Sequence, residues 1–164
     1  MPPLSSSQIM EKSDVLDKVF SIRLFSGVPK QDVMCSVASY SCNGTLAFQL
    51  YASPEHVTRG SNGLDSRRQF CEPFGVATVN LPESGLLPYN VQFIDENNLP
   101  GIGAWLQKNN IATPTGYHCP SGYCLYEAYA FNLSSKDLKE VIDRRQSLGM
   151  TPAGESTRNT MRIK

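Results

Sequence analysis

The sequence predicts an α+β domain, a mainly antiparallel sheet of about five to six strands with two helices packed on one face. Three observations carry this. Short apolar runs with the two-residue period of strands recur between residues 19 and 95. The connections between them are short and rich in turn-forming residues, which suits antiparallel neighbours. The period then changes to that of a helix, returns to a strand and ends on a second helix, giving the order βββ, loop, ββ, α, β, α.

The first strand is VFSIRLF, residues 19–25, with Phe20, Ile22 and Leu24 on one face. DVMCSVASY (32–40) and TLAFQLYAS (45–53) follow. Between them SCNG ends in Asn43-Gly44, a strong signal for a type I′ hairpin turn. Residues 54–70 are polar and read as a surface loop carrying Arg59, Arg67 and Arg68. GVATVNLP (75–82) is a strand stopped by Pro82, PESGLLP is a connector, and YNVQFID (89–95) is a strand.

ENNLPGIGAWLQKNNIA then reads as a helix. Asn97 or Asn98 is its expected N-cap and Pro100 sits in its first turn. Ile102, Trp105 and Leu106 share its buried stripe, and Asn109 or Asn110 supplies a left-handed C-terminal cap. CLYEAYAFNL (124–133) alternates as a strand, with Leu125, Glu127, Tyr129 and Phe131 on one face. The last helix starts at Ser134 or Ser135, carries Leu138, Val141 and Ile142 on one stripe, and stops at Gly149. Asp137 near its start and Arg144-Arg145 near its end suit the helix dipole. The expected organisation is a loose N-terminal segment (1–14), one domain (15–147) and a flexible tail (148–164).

The chain has 15 basic and 15 acidic residues among 164, so its formal net charge is zero. That argues against a strongly basic nucleic-acid binder and against an acidic mimic of DNA. No apolar run approaches the length that spans a bilayer, and no signal peptide is read at the N-terminus. Five cysteines, odd in number and irregularly spaced, fit a reducing compartment. A cytoplasmic protein is therefore expected, with no membrane partner.

The stretch GYHCPSGYC, residues 116–124, holds most of the chemistry-bearing side chains. It reads as a turn-rich loop leading into the last strand. Tyr117, His118 and Tyr123 would form a contact surface on it, since aromatics on a rigid loop are common interface anchors. His118, Cys119 and Cys124 are the candidates for a metal site. The C-x4-C spacing lacks the second pair that structural zinc wants, so Cys71, Cys35 or Cys42 would have to complete it. A cysteine nucleophile would need His118 or His56 as its base. Adjacency of His118 and Cys119 works against that pairing in an extended segment, where neighbours face opposite ways. PGIG (100–103) opens a helix, but Asp95 and Glu96 before it would repel phosphate.

Three blocks then carry a resemblance: EPFGVATVNLP, QFIDENNLPGIGAWLQKNNIA and PTGYHCPSGYCLYEAYAFNL. Over residues 72–142 the chain resembles a family of small uncharacterised bacterial proteins, a domain of unknown function, encoded on plasmids, conjugative elements and prophages. Glu96 stands where that family commonly has Thr, and Asn110 where Gly is common. The resemblance implies an accessory gene of a mobile element.

With no assembled catalytic motif and no cofactor expected, the reading is a protein-binding accessory protein. An anti-CRISPR or antirestriction inhibitor of host defence is its concrete form. Its expected interface is Arg59, Arg67, Arg68, Tyr117, His118 and Tyr123. The alternatives are a small metal- or cysteine-dependent enzyme using His118, Cys119, Cys124 and Asp95, or a nucleic-acid accessory factor using the Arg loop and the basic tail.

Overall fold

The alternating segments build two sheets rather than one. The structure, a computed structural model, describes residues 14–24, 26–52 and 73–152. Arg59, Arg67, Arg68, His56 and Cys71 lie outside the described residues, as do most of the N-terminal segment and the end of the tail. The first sheet runs β1 (Val19–Ile22), β2 (Gln31–Ser39), β3 (Leu46–Ala52) and β4 (Pro73–Val76), in that order. The second holds β5 (Thr78–Val79), β6 (Val91–Ile94), β8 (Cys124–Phe131) and β7 (Ala112–Ser121), in that order across the sheet. Every pairing is antiparallel. The class is α+β as expected, with two helices among the described residues, α1 (Ile102–Lys108) and α2 (Lys139–Leu148). The expected single sheet of five to six strands is two sheets of four.

The expected strand over 75–82 is where the division occurs. It breaks at Ala77 into β4 and β5, each paired in a different sheet. Ala77 itself joins them: its N–H donates to Phe48 O (2.8 Å) and its carbonyl accepts from Asp95 N–H (2.9 Å). A strand that bends from one sheet into another is a common way to make such a corner.

Between the sheets lies one apolar core. Val33, Cys35, Leu46, Phe48 and Leu50 come from the first sheet, and Ile94, Tyr129 and Phe131 from the second. Phe48 and Phe131 meet across it with ring centroids 4.8 Å apart. Each fully buried large side chain here contributes roughly 1.5–3 kcal/mol. α1 packs on β7 and α2 on β2. Trp105 is core, as its stripe predicts, and its indole N–H donates to Ser21 O at 2.8 Å. Among the described residues no helix is long and apolar enough to cross a membrane.

Several local devices differ from the sequence expectation. The β2–β3 turn is longer than a type I′ turn: Tyr40 and Thr45 close it, and only Gly44 is left-handed, at φ 74°. A Cβ at Gly44 would also sit 3.0 Å from Arg145 Cγ, so glycine lets the loop lie against α2. Asn43 is instead a buried polar group, discussed below. Pro82–Leu86, read as a connector, is a 3-10 turn.

Neither Asn97 nor Asn98 caps α1. Asn98 turns back to the Asp95 carboxylate, and Glu96 takes the cap, accepting from Gly101 N–H (2.8 Å) and Gly103 N–H (2.7 Å). A carboxylate suits the positive end of a helix, and here it fills the place a phosphate would need. Asn110 is left-handed at φ 58°, as expected beyond the helix end, and Gly149 ends α2 at φ 71°. Arg145 does not merely complement the dipole of α2. It is 1% exposed, and its guanidinium donates to Met150 O (2.7 Å), Leu87 O (2.8 Å) and Gly85 O (2.8 Å).

A polar seam joins the sheets beside the core. Gln92 is fully buried. Its amide N–H groups donate to Thr45 Oγ1 (3.1 Å) and Leu46 O (2.9 Å). Its Oε1 accepts from Ser84 Oγ (2.6 Å) and Phe93 N–H (3.0 Å). Thr45 and Asn43 extend the seam to Asn80 Oδ1 at 3.1 and 2.9 Å. Replacing Gln92 with Leu keeps the volume and strands the Ser84 hydroxyl and the Leu46 carbonyl. The expected loss is about 2–4 kcal/mol in urea unfolding, well above the effect of a surface Gln→Leu exchange.

Candidate functional site

The stretch GYHCPSGYC is a β-hairpin rather than a loop. β7 and β8 pair from Ala112↔Phe131 at the base to Ser121↔Cys124 at the tip. The tip is a two-residue turn, Gly122-Tyr123, and Gly122 takes φ 62°. Glycine first in such a turn is the pattern of type II′, whose twist matches the strands it joins. Among the described strands β7 lies at the sheet edge. Pro114 and Pro120 remove two N–H donors from it, and a bulge interrupts its pairing between Pro114 and His118. Prolines and bulges of this kind discourage a further strand from adding to an edge. What this edge offers a neighbour is therefore its side chains rather than its backbone.

The bulge is held by its neighbours. Thr115 Oγ1 donates to Ala128 O (2.7 Å) and accepts from Tyr117 N–H (3.1 Å). Gly116, at φ 86°, donates its N–H to the Glu127 carboxylate (3.2 Å). His118 Nδ1 lies 3.0 Å from Gly116 O, and its Nε2 lies 3.6 Å from Glu127 Oε1. This fastens the bulge to β8.

The three hairpin residues expected to form one contact surface point in different directions. Tyr117 packs on Phe93 with ring centroids 6.0 Å apart, yet stays 47% exposed. His118 faces Glu127 on the opposite side of the hairpin from Cys119, which joins the apolar cluster of Leu81, Leu87 and Phe93. Tyr123 stands at the tip, fully exposed. Leu125, which alternation assigns to the core face beside Tyr129, is 66% exposed. The reason is geometric: the tip of the hairpin extends past the core, so core-face positions there meet solvent. Leu125 is the apolar tip residue that sequence periodicity misses.

Among the described residues, those of the metal and nucleophile readings are not gathered. Cys119 and His118 occupy opposite faces of β7. Cys42, Cys119 and Cys124 are free thiols. Among the described residues no group of three or more His, Cys, Asp or Glu side chains is placed to hold a metal. Asp95 is buried, and its carboxylate is engaged with Asn98. The neighbouring Glu83 side chain, then burial, push the Cys119 thiol up. A raised thiol holds less thiolate at neutral pH, the opposite of what a nucleophile needs.

The chain belongs to a family of unknown function. The family model, Domain of unknown function (DUF4313), matches residues 36–149. No curated protein and no solved structure matches the chain. The DUF4313 match is wider than the 72–142 span that the motifs suggest, and it takes in the seam at Gln92, the buried Arg145 and the whole hairpin.

Glu83 makes the largest contribution to the raised Cys119 thiol. Glu83→Gln therefore increases the thiolate fraction at a given pH. In a chain whose other four cysteines are replaced by serine or alanine, alkylation of Cys119 at pH 8 should run faster with Glu83→Gln than without it. Equal rates would show that Glu83 does not control the thiol.

Proposed function

We propose that this DUF4313 chain is a protein-binding module that engages its partner through the β7–β8 hairpin. The observation that carries the reading is the tip: a fully exposed Tyr123 on the two-residue turn opened by Gly122, and Leu125, 66% exposed, at the start of β8 just after it. Large side chains held in solvent on a preformed element lose little conformational freedom on binding, which is what makes aromatic residues effective anchors. Tyr117 adds a half-exposed ring on one face of the same hairpin, and His118 a polar group on the other. The setting on a bacterial mobile element, with an anti-CRISPR or antirestriction target as its concrete form, comes from the sequence resemblance. Arg59, Arg67 and Arg68, the charged residues of the polar 54–70 segment, complete the proposed interface on sequence grounds of their own.

Tagged protein is used to capture partners from bacterial lysate with nuclease present. A single stoichiometric protein is expected, and Tyr123→Ala with Leu125→Ala should reduce its recovery at least about tenfold, as loss of a central anchor does. Both positions are exposed, so folding should be unchanged by circular dichroism. Equal recovery by this variant, or recovery of nothing but nucleic acid, would overturn the reading.

A further inference from the structure

The hairpin carries a charge pattern that speaks to the chemistry of its partner. From Asn109 to Ser135 the chain has no Lys and no Arg, although it carries fifteen of them in all. The same stretch holds Tyr117, Tyr123, Tyr126 and Tyr129. Three of these rings reach solvent wholly or in part on the hairpin, while Tyr129 is buried.

One face of the hairpin sets two of these rings on the side covered by the turn that carries Glu83. Cys119 pairs directly with Tyr126 across the strands, so the two side chains share a face. Glu83 belongs to the 3-10 turn whose flanking Leu81 and Leu87 pack in one cluster with Cys119, which brings its carboxylate to this side of the hairpin. Tyr126 lies partly buried against the cluster that contains Cys119 and Phe93, and Tyr117 stacks on Phe93. The Cys124 thiol, then burial, push the Tyr126 hydroxyl up, so this ring stays neutral at physiological pH. On the other face Glu127 reaches His118 and Gly116. Tyrosine rings beside a carboxylate form a surface that attracts a cation; the Arg145 guanidinium, which reaches the same turn, is buried and its donors are taken by the carbonyls of Gly85, Leu87 and Met150. The rings offer their negative faces and the carboxylate its charge.

We propose that the face formed by Tyr117, Tyr126 and Glu83 receives an arginine side chain from the partner protein, so that the hairpin selects a cationic segment. This rests on the reading of the hairpin as a protein-binding element. The arginine donates to the Glu83 carboxylate while its plane lies against a tyrosine ring, a combination that lysine serves less well. Tyr123 and Leu125 then supply the apolar contacts at the tip.

The test uses full-length protein labelled with nitrogen-15 and the peptide Gly-Arg-Gly-Arg-Gly as probe. Controls are the same peptide with citrulline in place of arginine, and Gly-Glu-Gly-Glu-Gly. Amide shifts are expected at Glu83, Tyr117, Cys119 and Tyr126 with the arginine peptide alone. Glu83→Gln should weaken its binding at least about threefold, and Tyr117→Leu should do the same in a protein of unchanged spectral dispersion. Equal shifts with citrulline, shifts with the glutamate peptide, or arginine shifts centred instead on the acidic side chains of α2 would each overturn the proposal. The titration needs no natural partner, so it fails or succeeds independently of lysate capture. A captured partner that depends on Tyr123 but is not displaced by the arginine peptide would leave the binding reading standing and remove this one.

Discussion

One buried amide sets the relation between the two sheets. Gln92 lies on β6 with its side chain turned toward the first sheet, where it bonds Thr45 and the Leu46 carbonyl. Its other end holds Ser84 and the backbone of Phe93. All four hydrogen-bonding capacities of the carboxamide are used. A polar group in this position is costly unless satisfied, so any slippage of one sheet over the other leaves several groups unpaired at once. Apolar packing between Phe48 and Phe131 supplies attraction but little register. The seam supplies the register.

Arg145 does a related task at the opposite end of the chain. Its guanidinium has three backbone carbonyls as partners, from the 3-10 turn and from Met150, and it lies over the Tyr89 ring at 5.1 Å. Burial lowers its pKa, yet a guanidinium starts so high that it keeps its charge. It pins α2 to the turn that covers the outer face of the second sheet. Glu140, at the start of α2, accepts from Ser39 N–H (3.1 Å) and Oγ (3.0 Å) and holds the helix to β2. The scaffold beneath the hairpin is thus fastened by polar contacts as well as by its core. β8 is shared: it pairs with β6 on one side and β7 on the other, so the hairpin is an extension of the second sheet.

Strong periodicity was readable, and residues used against their usual role were not. β2, β3, β6 and β8 follow from alternation, and Trp105 and Leu106 from helical spacing. Asn43-Gly44 reads as a two-residue turn because glycine does take the left-handed position. What sequence hides is that Asn43 is buried and bonds Asn80, far away in the chain. Gln92 looks like the polar half of a strand alternation, but both faces of β6 are buried. Arg145 looks like a charge at a helix end. In each case a polar side chain is satisfied by long-range partners that local pattern cannot show. The hairpin is hidden for another reason. Two prolines and two glycines between Pro114 and Gly122 break the strand pattern of β7, and they are the residues that build its bulge, its protected edge and its turn. The same composition that reads as a loop makes a strand that presents side chains and withholds its backbone.

The central claim is that this hairpin stands preformed, so that Tyr117, Tyr123 and Leu125 are held in place before any partner arrives. Native-state hydrogen exchange on the full chain measures this directly. If the hairpin is preformed, the amides of the Cys119–Tyr126 and Ser121–Cys124 pairs that bond across the strands should exchange at least about a hundredfold more slowly than unstructured peptide. Exchange at the unstructured rate from Pro114 to Cys124, with β6 and the base of β8 still protected, would contradict it.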